Sequence, residues 1–257
     1  MPTVGVDLGL DDVRTAQERI AGRARRTPLL AAGELSRRVG ARTVLKAENL
    51  QLTGSFKVRG AFNRLAQLSD AERAAGVVAA SAGNHAQGLA FAARELGIKA
   101  TAVMPAGAPL SKIAAVKQYG AEVVLAEGSY DDAKHTADQL ARDEGMTIVH
   151  AFDHPQVVAG QGTVGLEIAE DLPGVRLVVV PLGGGGLATG VAMAVKSLLP
   201  EVRVVGVRPR RALPTSTRWP RTGRSARAPP TRSATASRSS IRESSRCRSW
   251  SAGSTRW

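Results

Sequence analysis

The chain has 257 residues and a formal net charge of +13, from 35 Lys and Arg against 22 Asp and Glu. A pI near 11.0 would ordinarily point to nucleic acid or an anionic membrane surface, but residues 208–257 hold thirteen Arg and a single acid, Glu243, so the first 207 residues are close to neutral. The only Cys, Cys247, lies in that tail and no early apolar run resembles a secretory signal; an intrachain disulfide is excluded and a reducing cytoplasm is the expected location.

Behind Asp11-Asp12, apolar side chains recur at helical spacing over residues 13–24, and Thr27-Pro28 is expected to stop that helix. A short strand is expected over residues 43–48. Regular alternation follows, with helices over residues 58–68, 86–96, 110–119, 131–144, 162–170 and 188–199. The strands between them fall at 76–80, 100–104, 122–125, 147–150, 177–180 and 202–207. Alternation of this kind predicts an α/β fold with parallel sheets wound by helices. Residues 177–195 carry no charge and are long enough to span a bilayer. Pro181 and the glycines that follow break any continuous helix there, so the stretch reads as strand, loop and helix, and no membrane partner is expected.

The pattern stops at Val207. The next fifty residues contain eleven Ser, five Pro and all three Trp, with Leu213 and Ile241 the sole large aliphatic side chains. No core can form from that composition. The tail can be read as a disordered basic extension, as a nucleic-acid-binding arm, or as translation in the wrong frame, and the third reading is favoured. With permitted codons, Ser239-Ser240-Ile241-Arg242-Glu243-Ser244-Ser245-Arg246 reads one base earlier as Lys-His-Pro-Gly-Glu-Leu-Thr, and an apolar run follows. A chain so altered is expected to expose apolar surface and a sheet edge, to be unstable, and to fall short of a competent enzyme.

Two glycine-bearing turns follow strands, where ligands sit in such sheets: Ser81-Ala82-Gly83-Asn84 and Gly183-Gly184-Gly185-Gly186. The four glycines allow backbone N–H groups to converge on a phosphate, with a helix N-terminus behind them, and for the glycine run alone a flexible turn is an equal alternative. The loop lacks both the P-loop ending and the order of a dinucleotide turn. Lys57, in Thr53-Gly54-Ser55-Phe56-Lys57-Val58-Arg59, is expected at a helix start, where the dipole and an apolar neighbour disfavour its charge. A desolvated amine able to form a Schiff base, together with a phosphate cradle, is what pyridoxal phosphate chemistry needs.

These segments resemble the serine/threonine dehydratases (threonine ammonia-lyases) of the tryptophan-synthase-β-like class. The resemblance rests on Gly54-Ser55-Phe56-Lys57-Val58-Arg59-Gly60-Ala61, Ser81-Ala82-Gly83-Asn84-His85-Ala86-Gln87-Gly88, Val103-Met104-Pro105, Tyr119-Gly120-Ala121-Glu122-Val123, Ala159-Gly160-Gln161-Gly162-Thr163 and Gly183-Gly184-Gly185-Gly186-Leu187. It implies two parallel-sheet αβα domains. Residues 52–151 would form the smaller one, residues 1–51 and 152–207 a larger, incomplete cofactor-binding one, and residues 208–257 a probable frameshift product. It also implies pyridoxal 5'-phosphate bound through Lys57, with Phe56 beside the ring, Asn84 on its phenolic oxygen, and Gly183, Gly184, Gly185, Gly186 and Leu187 at the phosphate. Ser81, Ala82, Gly83, Asn84 and His85 would take the substrate carboxylate. For His85 a packed or capping role is an equal alternative.

The implied reaction turns L-threonine or L-serine, a small-molecule amino-acid substrate, into 2-oxobutyrate or pyruvate and ammonia. Lys57 would remove the α-proton and the cofactor phosphate would be the candidate proton donor to the leaving hydroxyl. A cytoplasmic homo-oligomer serving amino-acid metabolism, isoleucine biosynthesis included, is what such a family suggests for an intact chain. Serine racemases usually have a second serine where Ala82 stands, and threonine and cysteine synthases have Asp where Val58 stands; both remain alternatives, as does a catalytically dead nucleic-acid binder acting through its tail. Arg208 occupies the place of an acid linked to a cation in some members, so no metal is assigned.

Overall fold

The computed structural model describes residues 8–208 and 253–256. Helix α1 (Leu10–Arg19) starts on the acidic pair, with the Asp12 carboxylate accepting the Gly9 N–H at 2.8 Å. It stops short of residue 24 because the chain turns at Gly22, whose φ is +72°. Strand β1 (Leu29–Ala31), helix α2 (Gly33–Val39), strand β2 (Val44–Lys46) and a 3-10 turn over Glu48–Leu50 follow. Contrary to the expected parallel winding, β2 pairs antiparallel with β1. No periodic signal marks β1 or α2, since one has three residues and the other buries none.

Next come α3 (Lys57–Leu65), α4 (Asp70–Ala75), β3 (Val77–Ala80), α5 (Asn84–Leu96), β4 (Ala100–Pro105), α6 (Leu110–Gln118), β5 (Glu122–Ala126), α7 (Tyr130–Asp143) and β6 (Thr147–Ile148). The four strands pair parallel in the order β5-β4-β3-β6. Both faces of this sheet are covered, as parallel sheets require. Val77, Ala79, Ala102 and Met104 pack with Leu65 and Leu89 on one side, and Val78 and Val103 pack with Ala133, Ala137 and Met146 on the other. Local caps fix the helix starts: Ser69 with Glu72 at α4 and Ser129 with Asp132 at α7 each form a reciprocal capping box.

Helix α8 (Pro155–Asp171), strand β7 (Leu177–Pro181), helix α9 (Gly186–Leu198) and strand β8 (Arg203–Arg208) complete the main body. β7 and β8 pair parallel from Leu177 opposite Arg203 to Pro181 opposite Val207. A four-residue strand β9 (Gly253–Arg256) pairs antiparallel with β8, so the expected open edge is covered there, while β7 has no outer partner among the described residues. Val178, Val180 and Val204 pack on Val191 and Val195 of α9, but Leu177 and Val179 remain about half exposed on the opposite face. The readings placed on residues 209–252 and 257 lie outside the described residues.

The start of α8 is the largest departure from the expected boundaries. It begins at residue 155 rather than 162, with proline in the first turn and the His154 Nδ1 accepting the Gln156 N–H at 3.2 Å. Gly160, Gly162 and Gly165 obscure the helical periodicity because they serve close packing instead. A Cβ on Gly160 would stand 2.6 Å from the Gly60 Cα of α3, one on Gly190 of α9 would stand 2.6 Å from the Gly162 N, and one on Gly165 would stand 2.8 Å from the Val191 O. Helix α8 is thus clamped between α3 and α9 at near backbone contact.

Gly160→Ala is expected to lose about 1–3 kcal/mol of stability through overpacking, read from the urea unfolding midpoint. Gly107→Ala has nothing within 4 Å of its new Cβ and no positive φ, and should change stability by less than about 0.5 kcal/mol.

Candidate active site

Lys57 is the first residue of α3, reached through a tight segment in which Gly54 has φ +71°. The start of α5 lies directly against it, since a Cβ on Gly88 would stand 3.1 Å from the Lys57 carbonyl carbon. The amine donates to the Ala151 carbonyl at 2.5 Å and stands 5.3 Å from the centroid of the Phe56 ring. Burial lowers the Lys57 pKa to about 8. The hydroxyls of Ser55 and Thr53, just upstream, are buried without a hydrogen-bond partner.

At the head of α5, the Ser81 hydroxyl accepts the N–H groups of Gly83 and Ala86, each at 3.3 Å. The first amides of a helix have no intrahelical partner, so this turn presents N–H donors. Asn84 is exposed, and its Oδ1 accepts from Lys112 Nζ at 3.0 Å. The His85 ring is buried, and its Nε2 donates to the Val149 carbonyl at 2.9 Å. Burial above all lowers its pKa to about 4, with nearby Lys57 and His150 adding to the fall against the opposing bond to Val149. His85 is therefore neutral and packed. Ala82 is half-buried against the core of the first sheet.

After β7, Gly185 adopts φ +95° and caps α9, whose first residue is Gly186. Gly183 faces open space, whereas a Cβ on Gly184 would stand 2.4 Å from the Phe152 ring and one on Gly186 2.7 Å from the Phe152 O. Leu187 packs beneath the turn on the core of the second sheet. Residues 149–152 thus touch all three candidate segments: Val149 holds His85, Ala151 holds Lys57, and Phe152 lies on the glycine turn.

Two residues behind Lys57, the Arg59 guanidinium is 1% exposed and forms a bidentate pair with Glu48, at 2.9 and 2.8 Å, and another with Glu167, at 2.6 and 3.0 Å. It also donates to the Thr163 hydroxyl and the Arg25 carbonyl. Burial opposes its charge, yet the bonds to Glu48 and Glu167 outweigh that and raise its pKa. Lys46 adds a second cation, 2.6 Å from Glu167. Sequence reasoning gave no role to Arg59, Phe152 or Lys112. Their partners are 11 to 108 residues away for Arg59 and 28 for Lys112, and no local spacing reports them.

The family model described as "Pyridoxal-phosphate dependent enzyme" matches residues 20–253. The L-threonine ammonia-lyase of Thermotoga maritima is 53% identical over 200 residues, 78% of this chain and 50% of that protein. A catabolic L-threonine dehydratase of Escherichia coli is 48% identical over 205 residues, 80% of this chain and 62% of that protein. Among solved structures, maize serine racemase superposes with a TM-score of 0.77 at 36% identity, covering 79% of this chain and 62% of that one. The threonine deaminase of T.th. gives 0.72 at 45% identity, covering 77% and 64%. The chain therefore spans about half to three fifths of the length of these curated relatives.

Arg59→Met leaves the partly buried Glu48 without its cation and buried Glu167 with Lys46 alone, and is expected to cost about 3–5 kcal/mol in urea unfolding. Arg26→Met, which removes half-exposed pairs with Glu170 and Asp171, should cost no more than about 1 kcal/mol. Because the neutral amine is the reactive form, labelling of Lys57 by an amine-directed reagent should rise with pH through a midpoint near 8. A midpoint at the ordinary lysine value of about 10.4 would contradict the burial argument.

Proposed function

The chain belongs to the pyridoxal-phosphate dependent enzyme family, and on that premise we propose that it dehydrates and deaminates L-threonine, L-serine or both, giving 2-oxobutyrate or pyruvate and ammonia. One observation carries the reading: a buried amine of low pKa, a donor-rich turn and a glycine turn are all held by residues 149–152. Relatives at 53% and 48% identity named threonine ammonia-lyase and threonine dehydratase support it.

The residues present fit pyridoxal 5'-phosphate. A turn without side chains, open at Gly183 and backed by the N-terminus of α9, suits its phosphate. The unpartnered buried hydroxyl of Ser55 offers a polar atom beside the lysine. On this reading Lys57 holds the cofactor, Phe56 flanks its ring, Asn84 donates to its phenolic oxygen, and Gly183, Gly184, Gly185, Gly186 and Leu187 receive the phosphate. When bound, the cofactor supplies a conjugated ring that takes up electron density from the substrate α-carbon.

The chain's own groups do the rest. Ala82, Asn84 and His85 orient the substrate carboxylate through backbone N–H groups, the His85 ring staying on Val149, while Ser81 and Gly83, whose own N–H groups go to the Val103 carbonyl and the Ser81 hydroxyl, line the turn. Lys57 Nζ, with a pKa of about 8, carries a sizeable neutral fraction near neutral pH and takes the α-proton. The Ala151 carbonyl steadies that amine. Ala82 has no titratable atom, so no side chain there can return a proton to the other face, which favours elimination over racemisation. Val58 is fully buried where the synthases have Asp.

The same reading divides the chain into a smaller domain of residues 52–151 and a larger one of residues 1–51 and 152–207. It also places the protein in the cytoplasm as a homo-oligomer when intact. No helix of the described residues is long and apolar enough to cross a membrane.

The full chain incubated with pyridoxal 5'-phosphate should turn yellow, and borohydride should fix the cofactor on the Lys57 peptide. Its release of 2-oxo acid from threonine or serine, slow in a chain expected to fall short of a competent enzyme, should depend on Lys57, and Lys57→Ala should remain colourless and inactive. A colourless parent chain that releases no 2-oxo acid sinks the proposal.

A further inference from the structure

Lys112 is the third residue of α6, in a first turn that contains no acid. A cation there opposes the positive end of the helix dipole, so helix stability does not explain its position. Its Nζ instead reaches across to the head of α5 and meets Asn84 Oδ1 at 3.0 Å. An ammonium can only donate, so the amide atom it meets has to be the carbonyl oxygen. Among the described residues the Asn84 side chain makes no other hydrogen bond, which leaves both hydrogens of its Nδ2 turned away from Lys112. A free asparagine can present either end of its amide, and only the NH2 end can donate to a phenolic oxygen.

We infer that Lys112 is a positioning residue: it fixes the Asn84 amide so that the NH2 group faces the phenolic oxygen of the cofactor, resting on the function proposed above. The ammonium also polarises the amide and strengthens its N–H as a donor. The contact is partly exposed, which limits its strength, and the effect belongs to cofactor affinity and orientation rather than to the fold.

The test uses the full chain with Lys112→Met, Lys112→Arg, Asn84→Ala and the Lys112→Met/Asn84→Ala double variant. Without cofactor, the Asn84 side-chain NH2 signals in a ¹⁵N spectrum, assigned by their loss in Asn84→Ala, should move toward those of free asparagine in Lys112→Met and stay in place in Lys112→Arg. With cofactor, the dissociation constant of pyridoxal 5'-phosphate should rise about three- to tenfold in Lys112→Met. The pH profile of the visible absorption should shift with it, both should recover in Lys112→Arg, and the double variant should be no worse than Asn84→Ala. Unmoved amide signals, or effects that simply add in the double variant, overturn the inference. A parent chain that takes up no cofactor while its amide still responds to Lys112 overturns the functional reading, and with it the target assigned to the amide.

Discussion

The Arg59 guanidinium, enclosed by Glu48, Thr163 and Glu167, ties the 3-10 turn to α3 and to α8, which also meet each other at Gly60 and Gly160. A charge 1% exposed is tolerated only when its hydrogen bonds are made, so the 3-10 turn, α3 and α8 must come together before any of them is stable in place. Lys57 lies two residues earlier on the same helix. Its amine therefore inherits a fixed position from ion pairs on which it has no direct claim.

Steric closeness carries that position onward. Helix α8 touches α3 at Gly160 and α9 at Gly162 and Gly165, with backbone atoms where side chains would normally intervene. Such seams lack the flexible side-chain layer that could absorb small shifts, because interiors are close-packed and transmit strain. The lysine helix and the glycine-turn helix are consequently registered through a common neighbour. Glycine costs helix stability in the middle of α8, and the burial of the entire helix from Val157 to Ala169 offsets it.

Much of this was readable beforehand. The αβ alternation, the parallel sheets and the two glycine turns follow from local periodicity and turn chemistry, and Lys57 with Asn84 stood out through the motifs around them. What escaped notice was non-local or featureless. β1 and α2 bury too little to leave a pattern, and the glycines of α8 read as breaks although they are contact surfaces. Arg59 looked like one more basic residue because its acids lie at positions 48 and 167. The polarity of the Asn84 amide depends on Lys112 in a different helix, a relation that spacing does not encode.

The segment from Val149 to Phe152 has a consequence for how the chain can vary. The Val149 and Ala151 carbonyls and the Phe152 ring meet a histidine, a lysine and a glycine turn, in that order along the chain. An inserted or deleted residue between β6 and α8 would shift that succession by about 3.3 Å, the rise of one extended residue, and displace at least one of the three contacts. Substitutions that keep the backbone path can be accepted there, but changes of length cannot. In a connection between secondary-structure elements, where length variation is ordinarily the most tolerated kind, the molecule is least free to lengthen or shorten.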